Sequence, residues 1–124
     1  MDGYDRQAEL FRALSHPVRL RIMDILAQDE SCVCHLTAIL GQRQPYVSQQ
    51  LAILREAGLV ADRREGTLIY YRPADDHLPA LLREGMTLTA GLGGDSVDYP
   101  APPAGAVDGC PCPRCQDRGA PREA

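Results

Sequence analysis

The sequence predicts a mainly α-helical chain with one β-hairpin near its middle, folded over residues 1–92 and followed by a flexible, cysteine-bearing tail at 93–124. Three observations predict it. Apolar residues recur at helical spacing in five segments before residue 92. Two short β-prone runs, "LVADRR" and "TLIYYRP", are joined by Glu65-Gly66. Residues 93–124 are rich in Gly, Pro and Ala and nearly free of large aliphatic side chains, so they bury too little surface to offset their ordering entropy.

The elements follow in order. "AELFRALSH" places Leu10, Phe11 and Leu14 on one helix face. Ser15 is expected to cap the next helix, with Pro17 in its first turn, where a missing N–H costs nothing. That helix, "PVRLRIMDILAQ", carries Val18, Ile22, Ile25 and Leu26 inward. "CVCHLTAIL" reads as a third helix with Val33, Leu36, Ile39 and Leu40 in register, ended by Gly41. After the turn "GQRQ", a fourth helix starts near Pro45, buries Val47, Leu51 and Leu54, and stops at Gly58. The hairpin comes next. After Pro73, "DDHLPALLREGMTL" returns to helical spacing at Leu78, Leu81, Leu82 and Met86, with Pro79 in its first turn. Helices joined by a tight turn and followed by a two-stranded ribbon make a winged helix-turn-helix, in the order α-α-α-α-β-β-α.

Net charge is −4, but the balance is local. From Arg43 to Arg72, five Arg face Glu56, Asp62 and Glu65, a surplus of two positive charges where phosphates would be met. With Val47 set inward and 100° per residue, Gln49 and Pro45 point away from the core, flanked by Tyr46 and Ser48. Gln44, Tyr46, Ser48, Gln49 and Gln50 are therefore candidate DNA contacts, since Gln can pair bidentately with adenine and hydroxyls hold phosphates. Arg63 and Arg64, before the hairpin tip, suit backbone or minor-groove contact.

No apolar stretch approaches membrane-spanning length, and "MDGYDRQAEL" lacks the apolar run of a signal peptide; a cytoplasmic chain is expected. Thiols there stay reduced. All five cysteines fall in "CVC" at 32–34 and "CPCPRC" at 110–115, sets that suit metal or redox chemistry. No nucleophile triad, phosphate loop or carboxylate pair marks an enzyme.

"LSHPVRLRIMDIL" and "QPYVSQQLAILREAGLVADRREGTLIYYRP" closely resemble the ArsR/SmtB-type winged-helix regulators, over roughly residues 6–90. The resemblance implies a homodimer joined through the first and last helices, a two-fold symmetric double-stranded operator, and repression relieved by a metal or metalloid. It implies that Cys32 and Cys34, in "CVCHL", form the metal box, with His35 replacing the family's usual acid. On a continuous helix these thiols point about 200° apart, so one ion takes both only if the first turn unwinds or starts late. Such unwinding would strain the support of the recognition helix.

Two thiolates do not complete a site. Soft ions, As(III) and Sb(III) first and Cd(II) or Pb(II) next, favour more sulfur. Some family members add a ligand from an N-terminal arm, but here no Cys precedes position 32; Cys110, Cys112 and Cys115 are the available thiols, stiffened by Pro111 and Pro113. The tail either brings a thiol to the helix or forms a second site. His35 is expected to face solvent or the helix end, and His16 to pack where its helix begins. Asp75 and His77 resemble half of the family's other metal site, which Leu88 and Gly91 leave incomplete. The alternatives are a thiol-redox or sulfide-responsive repressor, and a metal-binding protein that has lost DNA binding.

Overall fold

The computed structural model describes residues 1–93, 96–101, 107 and 110–116. Helices α1 (Gly3–Leu14), α2 (Pro17–Gln28), α3 (Val33–Leu40), α4 (Gln44–Glu56) and α5 (His77–Leu92) surround one core, and strands β2 (Val60–Glu65) and β3 (Leu68–Pro73) form the hairpin. Two elements are additional to the expectation: a two-residue strand β1 (Ser31–Cys32), and α6 (Pro113–Gln116) in the tail. The sheet order is β1-β3-β2, all antiparallel.

Local chemistry sets each boundary. The Asp2 carboxylate accepts from the Asp5 N–H at 2.9 Å, and the Asp5 carboxylate accepts from the Asp2 N–H at 3.1 Å, a reciprocal cap on α1. The cap of α2 is His16, not Ser15: His16 Nδ1 accepts from the Val18 N–H at 3.2 Å, and Ser15 instead closes α1. Gly41 ends α3 with φ 63°, a left-handed cap that a Cβ would disfavour. Gly58, at φ 77°, turns the chain out of α4 into the ribbon. Gly66 (φ 61°) begins the two-residue hairpin loop, and the paired register runs from Val60↔Pro73 to Glu65↔Leu68.

The core joins Ile22, Met23, Ile25 and Leu26 of α2 to Leu36 and Leu40 of α3, Val47, Leu51 and Leu54 of α4, and Leu14, Leu59 and Leu78. Each such side chain contributes roughly 1.5–3 kcal/mol by leaving water. The packing fixes α3 against α4 and α2 beneath both. Tyr4 and Phe11 of α1, and Leu81, Leu88 and Leu92 of α5, remain exposed.

The tail does not stand wholly apart. Val107, Cys110, Cys112 and Cys115 form a second buried cluster with Cys32 and Tyr70. Cysteine behaves here as a small hydrophobe, which a count of aliphatic residues overlooks. Residues 94–95, 102–106, 108–109 and 117–124 of the expected flexible tail lie outside the described residues. No helix of the described residues is long and apolar enough to cross a membrane.

Candidate metal centre and nucleic-acid interface

The candidate metal centre begins with a backbone detail. Cys32 is not inside α3. It has extended backbone (φ −81°, ψ 166°), pairs with Tyr70 across β1 and β3, and serves as the residue before the helix. The helix starts late, at Val33, so Cys32 and Cys34 escape the helical 200° divergence. Their sulfurs lie 2.7 Å apart as free thiols, and no unwinding is needed to bring them together. Cys110, from the tail, reaches Cys34 at 3.6 Å and Cys112 at 3.3 Å.

Two sets of ligand atoms result, each with all members within 4.8 Å: Cys32, Cys34, Cys110 and Cys112; and His35, Cys110, Cys112 and Cys115. A tetrahedral ion with metal–sulfur bonds of roughly 2.3 Å needs its sulfurs roughly 3.8 Å apart. The separations of 2.7, 3.3 and 3.6 Å need only modest spreading to reach that value. The donor chemistry fits a soft ion.

His35 lies in the first turn of α3, the helix end expected for it, but it does not face solvent freely. It is half-buried, and its Nδ1 lies 3.1 Å from Cys115 Sγ. The signal was its place one residue after Cys34, on the same first turn that the tail covers. His16 packs where expected, capping α2 and lying 3.5 Å from the Tyr46 hydroxyl. Asp75 accepts from the backbone N–H of His77 and pairs with its ring on an exposed surface, and both fall outside the two ligand sets.

Crowding thiols together disfavours their charge. Burial, then the neighbouring Cys34 thiol, pushes Cys32 up to about 12. Burial pushes Cys110 up to about 12 and also raises Cys34. Burial acts against Cys112 too, but hydrogen bonds from the Cys110 thiol and the Cys115 backbone outweigh it and lower that thiol. Within the set, Cys112 is thus shifted toward its thiolate relative to an ordinary thiol, while Cys32, Cys34 and Cys110 hold their protons more tightly. A bound cation would expel them.

The candidate nucleic-acid interface lies on α4 and the hairpin. Gln44, Ser48 and Gln49 are exposed, and Tyr46 is half-buried. Arg43, Pro45, Tyr46 and Gln49 line an open concavity of about 340 Å³ at the start of the helix. Gln50 is corrected: it is 5% exposed, and its Oε1 accepts from the Arg19 guanidinium at 2.9 Å. Three residues after Val47, it returns to within about 60° of the core face, so it braces α4 on α2 and is not presented to a base. Arg63 is engaged as well. Its Nε donates to Glu30 at 2.9 Å, another of its nitrogens also meets Glu30, and a third donates to Glu65 at 3.0 Å. Its guanidinium lies 4.8 Å from the Tyr70 ring centroid. Arg64 is exposed and has no ion pair among the described residues. One row of the sheet thus reads Cys32, Tyr70, Arg63.

Residues 16–62 match the family described as "Bacterial regulatory protein, arsR family". The chain is 46% identical over 84 residues to the transcriptional repressor SmtB homolog of Synechocystis sp., covering 68% of this chain and 64% of that protein. It is 44% identical over 73 residues to the arsenical resistance operon repressor of Escherichia coli, covering 58% and 62%. The chain therefore spans slightly less than two thirds of the length of either repressor. The fold is similar to the homodimeric winged helix-turn-helix DNA-binding domain of Mb0332 from Mycobacterium bovis, described as a possible ArsR-family regulator. That match has a TM-score of 0.68 and 32% identity, covering 77% of this chain and 90% of that one. These relatives are regulators of transcription and not enzymes. A winged helix-turn-helix with this sequence and these relatives belongs to the arsR family of bacterial regulatory proteins, as an ArsR/SmtB-type transcriptional regulator.

Proposed function

We propose that the protein is a cytoplasmic transcriptional repressor that binds a two-fold symmetric operator as a homodimer and lets go on binding a thiophilic ion. As(III) or Sb(III) is the first choice, with Cd(II) or Pb(II) next. Cys32, Cys34 and a thiol of the 110–115 segment are its ligands. The observation that carries this reading is the convergence of four sulfurs, from segments 76 residues apart, within 4.8 Å. Burying thiols together serves no packing need that Leu or Val would not meet better, whereas it satisfies a soft ion. Three thiolates leave As(III) neutral in this buried setting. The name of the Escherichia coli relative supports the metalloid.

The exposed stripes support the dimer. Leu81, Leu88 and Leu92 share one face of α5, and Tyr4 and Phe11 one face of α1. A second copy would cover them, as in the homodimeric Mb0332 domain. Release would start at Cys32 and Cys34: spreading their sulfurs moves β1, which holds the wing strand β3, and the start of α3, which packs on α4. Recognition helix and wing would shift together.

The test is operator-binding anisotropy of the reduced protein, titrated in parallel with arsenite, Cd(II), Zn(II) and peroxide. Near-stoichiometric release by arsenite is expected, with Cys32→Ser and Cys34→Ser still binding DNA but no longer responding. Normal release in both variants would sink the reading. A redox reading is favoured only by the 2.7 Å contact of Cys32 with Cys34. There, two thiols would give two protons and two electrons to peroxide, forming one disulfide and two waters. Release by peroxide alone would select it. Absence of DNA binding would leave a metal-binding protein on a winged-helix scaffold.

A further inference from the structure

We infer that, when loaded with a divalent ion such as Cd(II), the centre takes two, as a bimetal–thiolate cluster bridged by Cys110 and Cys112. The inference rests on the ion-binding reading above and goes beyond it in stoichiometry and ligands. The two ligand sets are not alternatives drawn from unrelated residues; they share Cys110 and Cys112. Each set adds its own outer pair, Cys32 with Cys34, and His35 with Cys115. The contacts repeat this order: 2.7 Å within the first outer pair, 3.3 Å within the shared pair, and 3.1 Å within the second outer pair.

Two tetrahedral ions need eight bonds. The four outer residues supply one each, and two sulfurs that each bridge both ions supply the other four. No ligand is missing and none is left over. The shared sulfurs sit between the outer pairs, where a bridging position requires them.

Charge favours the same count. One divalent ion on four thiolates buries a net charge of −2 and leaves Cys115 against His35 without an ion. Two divalent ions on five thiolates and a neutral imidazole bury −1. The lower net charge costs less to hold away from water. Each coordinating thiol gives its proton to solvent, so no oxidant is involved. His35, on α3, and Cys115, on α6, then tie the tail to the body through the second ion.

The test uses the full-length reduced protein and Cd(II). Thiolate-to-cadmium absorbance and native mass spectrometry give the stoichiometry, and ¹¹³Cd NMR the ligands. Wild type should saturate at two Cd(II) per chain. It should show one four-sulfur and one three-sulfur, one-nitrogen resonance, coupled through the bridging sulfurs. His35→Ala and, separately, Cys115→Ser should each saturate at one and retain only the four-sulfur signal. His35→Ala leaves every thiol of the tail in place, so it separates ligand loss from tail undocking. One Cd(II) per wild-type chain would overturn the cluster and leave the single-ion reading standing. No binding would overturn both, and two ions retained in both variants would overturn this ligand set.

Discussion

Gln50→Ala separates a brace from a reader of bases. Gln50 lies on the recognition helix, yet it is 5% exposed and accepts from Arg19 at 2.9 Å. A hydrogen bond to a charged donor contributes about 1.5–3 kcal/mol. The low end applies, because half-buried Arg19 keeps its bond to the Ala13 carbonyl and can still find water. Losing one buried methylene adds about 0.8 kcal/mol. The expected loss is about 2 kcal/mol, or a fall in Tm of about 8 °C for a domain of this size, measured at fixed protein concentration because the proposed dimer would contribute to stability. Operator sequence preference should not change. Gln49→Ala is the contrast: exposed, it should move stability by less than about 0.5 kcal/mol but weaken operator binding by about 1–3 kcal/mol. Thermal melts and competition binding on operators altered one base pair at a time measure both. An unchanged Tm in Gln50→Ala, with discrimination lost at one position, would refute the assignment.

Three further outcomes are expected. Arg64→Ala should leave Tm unchanged and lower the salt dependence of operator binding by about one counterion, and an unaltered slope would remove Arg64 from the phosphate contacts. Leu88→Asp should shift sedimentation from dimer to monomer, whereas a persisting dimer would place the interface elsewhere than α5. Because Cys32 and Cys110 are pushed up to about 12, coordination must expel protons, so Cd(II) affinity should rise from pH 6 to pH 8 with measurable acid release; a flat profile would mean that the thiols were already ionised. The same shifts act on the ion-free protein. Folded values above the ordinary thiol value of about 8.5 stabilise tail docking below that pH and lose it as pH climbs toward 12, with Cys112 opposing.

The helices were legible because their cores repeat at helical spacing, as at Val47, Leu51 and Leu54, and because Gly41, Gly58 and Gly66 stand where positive φ is needed. Strand β1 was not legible: two residues carry no period, and its partner Tyr70 is remote in sequence. That omission also misplaced Cys32 within a helix. The contact of His35 with Cys115 was not legible, because the two residues are 80 positions apart. Gln50 was open to correction from the start, since the angular step that set Val47 inward also carries Gln50 back toward the core. Between Ser15 and His16 the sequence offers two acceptors, and only the backbone turn decides which one caps α2.

The sheet row Cys32, Tyr70, Arg63 crosses two strand spacings, roughly 10 Å, from the sulfur centre to the ribbon proposed to meet DNA. Any free energy carried along it is reciprocal: if an ion weakens operator binding by a given factor, the operator weakens ion binding by that same factor. A DNA-bound protomer then needs more ion to respond than a free one. The dose at which a cell responds would depend on how many operators it holds relative to repressor, and extra operator copies on a plasmid would move it without any change in the protein.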